Sequence, residues 1–288
     1  MFKLAVISDE ISQDLDVVIR FAQENLLQGV ELRSVWEKGP FDWTDEDVAR
    51  MNEKLTAAGL PVCAIGAPFF KCDQADRAAV AQHIAAFRRL CGHAHTLGAG
   101  IIRGFSFWKT EAAPDMDAIA AEFAAVTPIL EEENILLVLE PDPAVNTPNG
   151  VSLARLLQKI DHPRVGALWD PGNIPFDTAG EAAYPEGYEA VRPWMKHMHL
   201  KDALRENDVP RAVPFGTGQV DMEGQFRRLV EEDFYSGWVS LEPHYRLDRV
   251  LDEATLRLPA GSAFSAGGYA AGQDTMERFR EKMARWFD

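Results

Sequence analysis

The feature that most constrains this chain is an eightfold alternation of short apolar runs with segments of helical periodicity. The apolar runs fall at residues 2–7, 29–36 (GVELRSVW), 60–70 (LPVCAIGAPFF), 101–108 (IIRGFSFW), 135–142 (ILLVLEPD), 165–173 (VGALWDPGN), 197–200 (HMHL) and 238–244 (WVSLEPH). Between them, apolar residues recur every three or four positions, as in Leu15, Val18, Ile19 and Ala22, or Ile84, Phe87 and Cys91. Helices are expected from residue 12 onward and over 42–59, 76–97, 115–133, 151–160, 186–194, 222–232 and 275–287, with Asp or Thr opening the second and Gly59 ending it. Runs that are apolar throughout, rather than alternating, are strands covered on both faces, as in a parallel sheet sandwiched by helices.

Eight such strands close into a barrel, so the predicted fold is α/β, a single (β/α)8 TIM barrel over residues 1–288 with its active site at the C-terminal ends of the strands. The competing doubly wound sheet would bring a Gly-rich phosphate turn after its first strand, and SDEIS is not one. The long connection at 245–273, Gly- and Ala-rich at AGSAFSAGGYAAG, departs from the repeat and is open to three readings: an active-site lid, a disordered loop or an oligomer contact.

A formal net charge of −16 argues against a polyanionic partner, because Lys and Arg contacts to phosphate supply most nucleic-acid affinity. A small anionic ligand stays open, since local cations override the global field. The chain has no apolar span of 18 residues, and it enters its first strand without a signal-peptide pattern. Cys63, Cys72 and Cys91 form no CxxC pair. A reduced, cytoplasmic setting without membrane or nucleic-acid partners is expected, with a homo-oligomer compatible with the sequence.

The strand ends carry the chemistry. Glu140, Asp170, His199 and Glu242 stand at the ends of runs five to eight, separated by 30, 29 and 43 residues, one βα unit per step. Singly, each has a plain structural alternative. Glu140 and Glu242 precede prolines and could mark turns, Asp170 could form an Asx-turn, and His199 could be a core histidine. Together they put three carboxylates and an imidazole on one rim, a costly arrangement without a cation. Oxygen-rich ligands with one nitrogen suit Mn, Mg or Co, with Zn as a further candidate. Nearby, Glu10, Arg33 and Arg103 lie at or close to the ends of runs one, two and four. Each arginine could bind a substrate carboxylate or phosphate, or simply pair with Glu10 or Glu31. Lys201 could donate to substrate, act as the acid of a dehydratase, or balance Asp202 and the rim carboxylates. His197 is expected to face the barrel wall and His244 to support the site. Trp36, Phe69, Phe70, Phe107 and Trp108 are expected as core or rim packing, with a sugar-binding floor as the alternative.

From SDEIS and GVELR to SLEPH the chain resembles the xylose isomerase-like barrel superfamily of sugar isomerases and epimerases, most specifically in the strand-five Glu, DPGN, HLKD, GTGQVDM and the strand-eight Glu. The resemblance implies that Glu140, Asp170, His199 and Glu242 hold a divalent metal, with Glu140 and Glu242 as the acid/base pair on opposite faces of a bound ketose. Against the ketose 3-epimerase branch, Arg205 matches an arginine that grips substrate oxygen. Asn173 replaces a histidine and Asn146 replaces a glutamate.

A metal across a ketone and its neighbouring hydroxyl stabilises an enediolate, and two carboxylates can then move a proton between faces or carbons. The expected function is therefore a divalent-metal-dependent isomerase or epimerase of a ketose or sugar-like ketone. The alternative is a dehydratase of a cyclic keto-polyol of inosose or dehydroshikimate type. An abasic-site endonuclease would need further histidines at strand ends, whereas His83, His93 and His95 fall in a helix. A non-catalytic sugar-binding protein is the remaining reading.

Overall fold

The computed structural model describes residues 2–287. Eight parallel strands form a closed barrel: β1 (Lys3–Ile7), β2 (Gly29–Leu32), β3 (Val62–Phe69), β4 (Ile101–Gly104), β5 (Leu136–Leu139), β6 (Val165–Trp169), β7 (Met195–Leu200) and β10 (Trp238–Leu241). They close in the order β1-β10-β7-β6-β5-β4-β3-β2. Every residue of β2 and β6 is buried, which is why these runs read as apolar without alternation.

Local chemistry sets the helix ends. Asp14 accepts from Asp16 N and Asp76 from Ala78 N and Ala79 N, while Thr44 and Asp47 form a reciprocal capping box. The long Arg77–Leu97 helix stops at Gly98, whose φ of 67° suits a residue without Cβ. His83, His93 and His95 lie on this helix, where His83 Nδ1 accepts from Phe70 N at 2.9 Å just past the end of β3.

The structure departs from the expected pattern in four places. The helix over 115–133 divides into Met116–Glu122, a 3-10 turn and Thr127–Glu132, with a proline in the first turn of the last piece. The segment 186–194 is a wide turn, four α-helical residues and a 3-10 turn. Between β7 and β10 the chain forms an unexpected antiparallel hairpin, β8 (Asp202–Glu206) and β9 (Val209–Val213). Asn207 and Asp208, both at positive φ, make its two-residue turn. Finally, much of the 245–273 connection is helical. It holds Glu253–Arg257, Gly261–Ser265 and the start of Gly268–Phe287, pinned where Arg246 donates to the carbonyls of Tyr245 and Phe264, each at 2.7 Å.

The three cysteines are free and buried. Among the described residues no helix is long and apolar enough to cross a membrane.

Candidate metal centre

Four neighbouring strands deliver the site. Glu140 follows β5, Asp170 follows β6, His199 lies on β7 and Glu242 follows β10. The barrel ladder fixes their height, because Glu140 N still donates to Gly104 O and Glu242 N to Leu200 O, both at 3.1 Å. One ligand atom from each side chain lies within 4.8 Å of the others, and all four residues are buried.

The two glutamates are built alike. Glu140 spends Oε2 on Arg103 Nη1 at 3.0 Å and turns Oε1 toward His199 Nδ1 at 3.5 Å. Glu242 spends Oε1 on Arg33 Nη1 at 2.6 Å and turns Oε2 toward His199 Nδ1 at 3.2 Å. Each arginine fixes one oxygen and leaves the other facing the cage. Burial works against charge on both glutamates, yet Arg103 and His199 hold Glu140 down to about 2, and Lys201, His244 and His199 hold Glu242 well below the carboxylate range.

His199 is aimed from behind. Its Nε2 stands 3.3 Å from both oxygens of Glu31, which also accepts from His197 Nε2 at 2.8 Å. With Nε2–H directed at Glu31, His199 turns Nδ1 toward the three rim carboxylates. His197 thus points into the barrel interior, one layer below His199, because residues two apart share a strand face. Glu31 was not among the expected site residues. Its signal was a glutamate inside a fully buried strand.

The donor set fits a divalent cation. His199 Nδ1 and Asp170 Oδ2 are buried and make no hydrogen bond, although Lys201 Nζ lies in ion-pair contact with Asp170 Oδ2. Burial and the adjacent Glu242 and Glu140 push Asp170 well above the usual carboxylate range despite Lys201. Lys201 Nζ also donates to Glu242 Oε2 at 2.9 Å, so an ammonium group already sits where the carboxylates demand positive charge.

The cage opens into a cavity of about 770 Å³ lined by Arg33, Arg103, Asn173, Lys201, Arg205 and His244, among others. Asn173 donates to Glu140 Oε1 at 3.3 Å and to Pro141 O at 2.9 Å. Arg205, on β8, donates to the carbonyls of Pro175, Phe176, Asp177 and Asp208. Asn146 does not line the cavity, its amide being spent on the carbonyls of Ser106, Phe107 and Trp108. Glu10 lies behind the wall, bonded to Arg33 and His244. Phe69, Phe70 and Phe107 stack in the core, with successive ring centroids 4.0 and 4.3 Å apart.

The sequence profile of the xylose isomerase-like TIM barrel family matches residues 19–266. The chain belongs to this family. No curated protein matches it in sequence. Among solved structures of the same barrel, the probable 3-DHS dehydratase AsbF from Bacillus anthracis is similar at 18% identity, with a TM-score of 0.71 and coverage of 97% of this chain and 99% of that one. The D-allulose 3-epimerase from Methylomonas sp. in complex with D-allulose is 16% identical, with a TM-score of 0.75 and coverage of 97% and 96%. The zinc-bound IolI protein is 16% identical over the full length of both chains, with a TM-score of 0.74. At these identities the likeness establishes the barrel, and the chemistry rests on the residues present.

Proposed function

We propose that this xylose isomerase-like barrel is a divalent-metal-dependent isomerase or epimerase of a ketose or sugar-like ketone. Glu140, Asp170, His199 and Glu242 hold the ion, and Glu140 and Glu242 move the proton. The observation that carries this reading is the paired construction of the two glutamates: each is held by an arginine through one oxygen and offers the other to a shared, cavity-facing cage. Mn, Mg, Co or Zn suits three carboxylates and one imidazole.

When bound, the ion would supply positive charge that acidifies a C–H bond next to a ketone. The protein does the rest. Glu140 and Glu242 are both carboxylates without substrate, so either can accept the proton. Return on the opposite face requires a proton on the other glutamate. Lys201 donates to Glu242 Oε2 and holds that carboxylate anionic, which suits Glu242 to accept a proton.

The same lysine gives the dehydratase reading its support, since an ammonium facing the cavity can protonate a departing hydroxyl. One experiment separates the two. With Mn²⁺-loaded protein and a panel of ketoses and cyclic keto-polyols in D₂O, an isomerase or epimerase exchanges the α-hydrogen and keeps the substrate's composition. A dehydratase loses water and yields an absorbing enone. Neither outcome with any panel member, in protein shown to hold the metal, refutes both. Glu140→Gln and Glu242→Gln should each lower turnover by about 10²–10⁴-fold, with substrate affinity largely retained.

A further inference from the structure

The cavity inverts the charge balance of the chain. Lys and Arg number 29 against 45 Asp and Glu overall, yet the cavity is lined by seven Lys and Arg against four Asp and Glu. Four of those cations are already neutralised. Arg33, Arg103 and Lys201 pair with carboxylates of the cage and its support, and Lys71 Nζ pairs with Asp142 at 2.8 Å. Arg205 has no carboxylate partner, but its guanidinium is spent on four backbone carbonyls.

Lys109 and Arg257 remain. Among the described residues neither side chain makes an ion pair or a hydrogen bond, and both line the mouth. They belong to one wall. Arg257 lies over the Trp108 ring at 4.6 Å from its centroid, and Lys71 lies over the same ring at 5.4 Å and over Phe105 at 4.6 Å. Lys71 Nζ also donates to Arg257 O at 3.1 Å, which ties the loop after β3 to the short helix Glu253–Arg257. Lys109 follows Trp108, its N–H donating to Ala144 O at 2.8 Å. The one acid of the lining without an ion pair, Glu253, leaves this wall net positive.

We propose that the substrate of this site is anionic, and that Lys109 and Arg257, with Lys71 behind them, bind its phosphate or carboxylate at the mouth. The inference rests on the metal-dependent reading for the ketone end of the substrate and adds the other end. An ammonium and a guanidinium without partners, the guanidinium lying over the Trp108 face, favour a dianion or carboxylate over an uncharged group. Two partly exposed ion pairs, each worth up to about fivefold, together give a preference of roughly tenfold or more.

The test uses matched pairs that differ only in charge, with Mn²⁺-loaded protein and binding followed by tryptophan fluorescence and calorimetry. D-ribulose 5-phosphate is compared with D-ribulose, and shikimate with its methyl ester. In low salt the charged member of at least one pair should bind about tenfold or more tightly than its neutral counterpart, and the pair that shows the gap identifies phosphate or carboxylate. The gap should shrink in 0.5 M NaCl, because exposed pairs are screened. It should narrow to about twofold in the Lys109→Ala, Arg257→Ala double variant, whose changes lie at exposed positions. No gap in either pair, or a gap that survives the double variant, overturns the proposal. Deuterium exchange into a neutral ketose with no charge preference overturns it and leaves the metal-dependent reading standing. A charge gap without exchange or water loss does the reverse.

Discussion

Glu31→Gln tests the site without touching any proposed ligand. The carboxylate lies behind His199, with Nε2 3.3 Å from each oxygen, and is shared with His197 at 2.8 Å. Burial opposes its charge, but His199 and His197 outweigh that and keep it well below the usual carboxylate range, so it is anionic at neutral pH. It stands across the imidazole ring, and a unit charge at about 5–6 Å in an effective dielectric near 20 is worth about 3 kcal/mol, an upper bound for what the substitution removes. Glutamine keeps one acceptor oxygen but turns an amide N–H₂ toward a ring nitrogen, so His199 loses part of its aim as well as the charge. Partners behind a ligand typically carry about 10–100-fold in metal affinity, or about 1.4–2.7 kcal/mol, within that bound. Calorimetric titration with Mn²⁺ and Co²⁺ should therefore show affinity weaker by one to two orders of magnitude, with unchanged stoichiometry and circular dichroism. His199→Ala should abolish measurable binding. Unchanged affinity in Glu31→Gln would refute the assignment of His199 Nδ1 as the metal-facing nitrogen.

Other outcomes follow from the same geometry. Asp9 is pushed up to about 6, chiefly by burial and against the pull of Arg33. A raised carboxylate pKa means the folded state holds the proton more tightly, so its contribution is full below about 3.8 and is lost as pH rises toward 6. Asp9→Asn does not titrate. Its stability relative to the parent should improve by about 2 kcal/mol between pH 4.5 and 7.5 in urea unfolding, and an equal difference at both pH values would count against this. Gly172→Ala places a Cβ 2.7 Å from Lys201 Cβ and 2.8 Å from Lys201 O, so the turn carrying Asp170 and Asn173 must shift. A loss of about 1–3 kcal/mol with weakened Mn²⁺ binding is expected; parent-like stability and affinity would show the turn to be slack. Metal at one hundred times its Kd should stabilise the protein by about 2.7 kcal/mol, reversibly with EDTA. Burial opposes charge on His199, but Glu31 and Glu242 raise its pKa well above the ordinary value, so binding must expel a proton there. Affinity should then rise with pH, and pH-independent binding would contradict the cage.

The barrel was legible because strands such as β2 and β6 are buried on both faces and announce themselves as apolar runs, while caps such as Asp14, Thr44 and Asp76 mark helix starts. The four rim residues were legible for a related reason: in a parallel barrel, position within each run is height in space. What sequence could not give was the partner of each charge. Arg33 and Arg103 looked equally suited to substrate and to structure. Folded, Arg33 donates to Asp9, Glu10 and Glu242, and Arg103 to Glu140 and two carbonyls, so three donors of each are engaged within the protein. The hairpin escaped because its strands are half exposed and carry no apolar run. Its turn dipeptide, Asn207-Asp208, was the available signal.

HLKD shows why both kinds of information are needed. Strand alternation sends His199 into the barrel and would send Lys201 the same way one step higher, which places an ammonium at the level of the carboxylate oxygens. Asp202, on the opposite face, caps the backbone N–H groups of Gly216 and Gly218 at 2.9 Å and so fastens the GTGQ turn to the rim. One tetrapeptide thus supplies a proposed ligand, an ammonium group among the carboxylates and an anchor, placed by alternation alone. Which of the three reactions open to such a site occurs depends on where the substrate's hydroxyls lie relative to Lys201 and the two glutamates. On the proposal of an anionic substrate, the wall of Lys71, Lys109 and Arg257 would set that placement from the other end of the substrate.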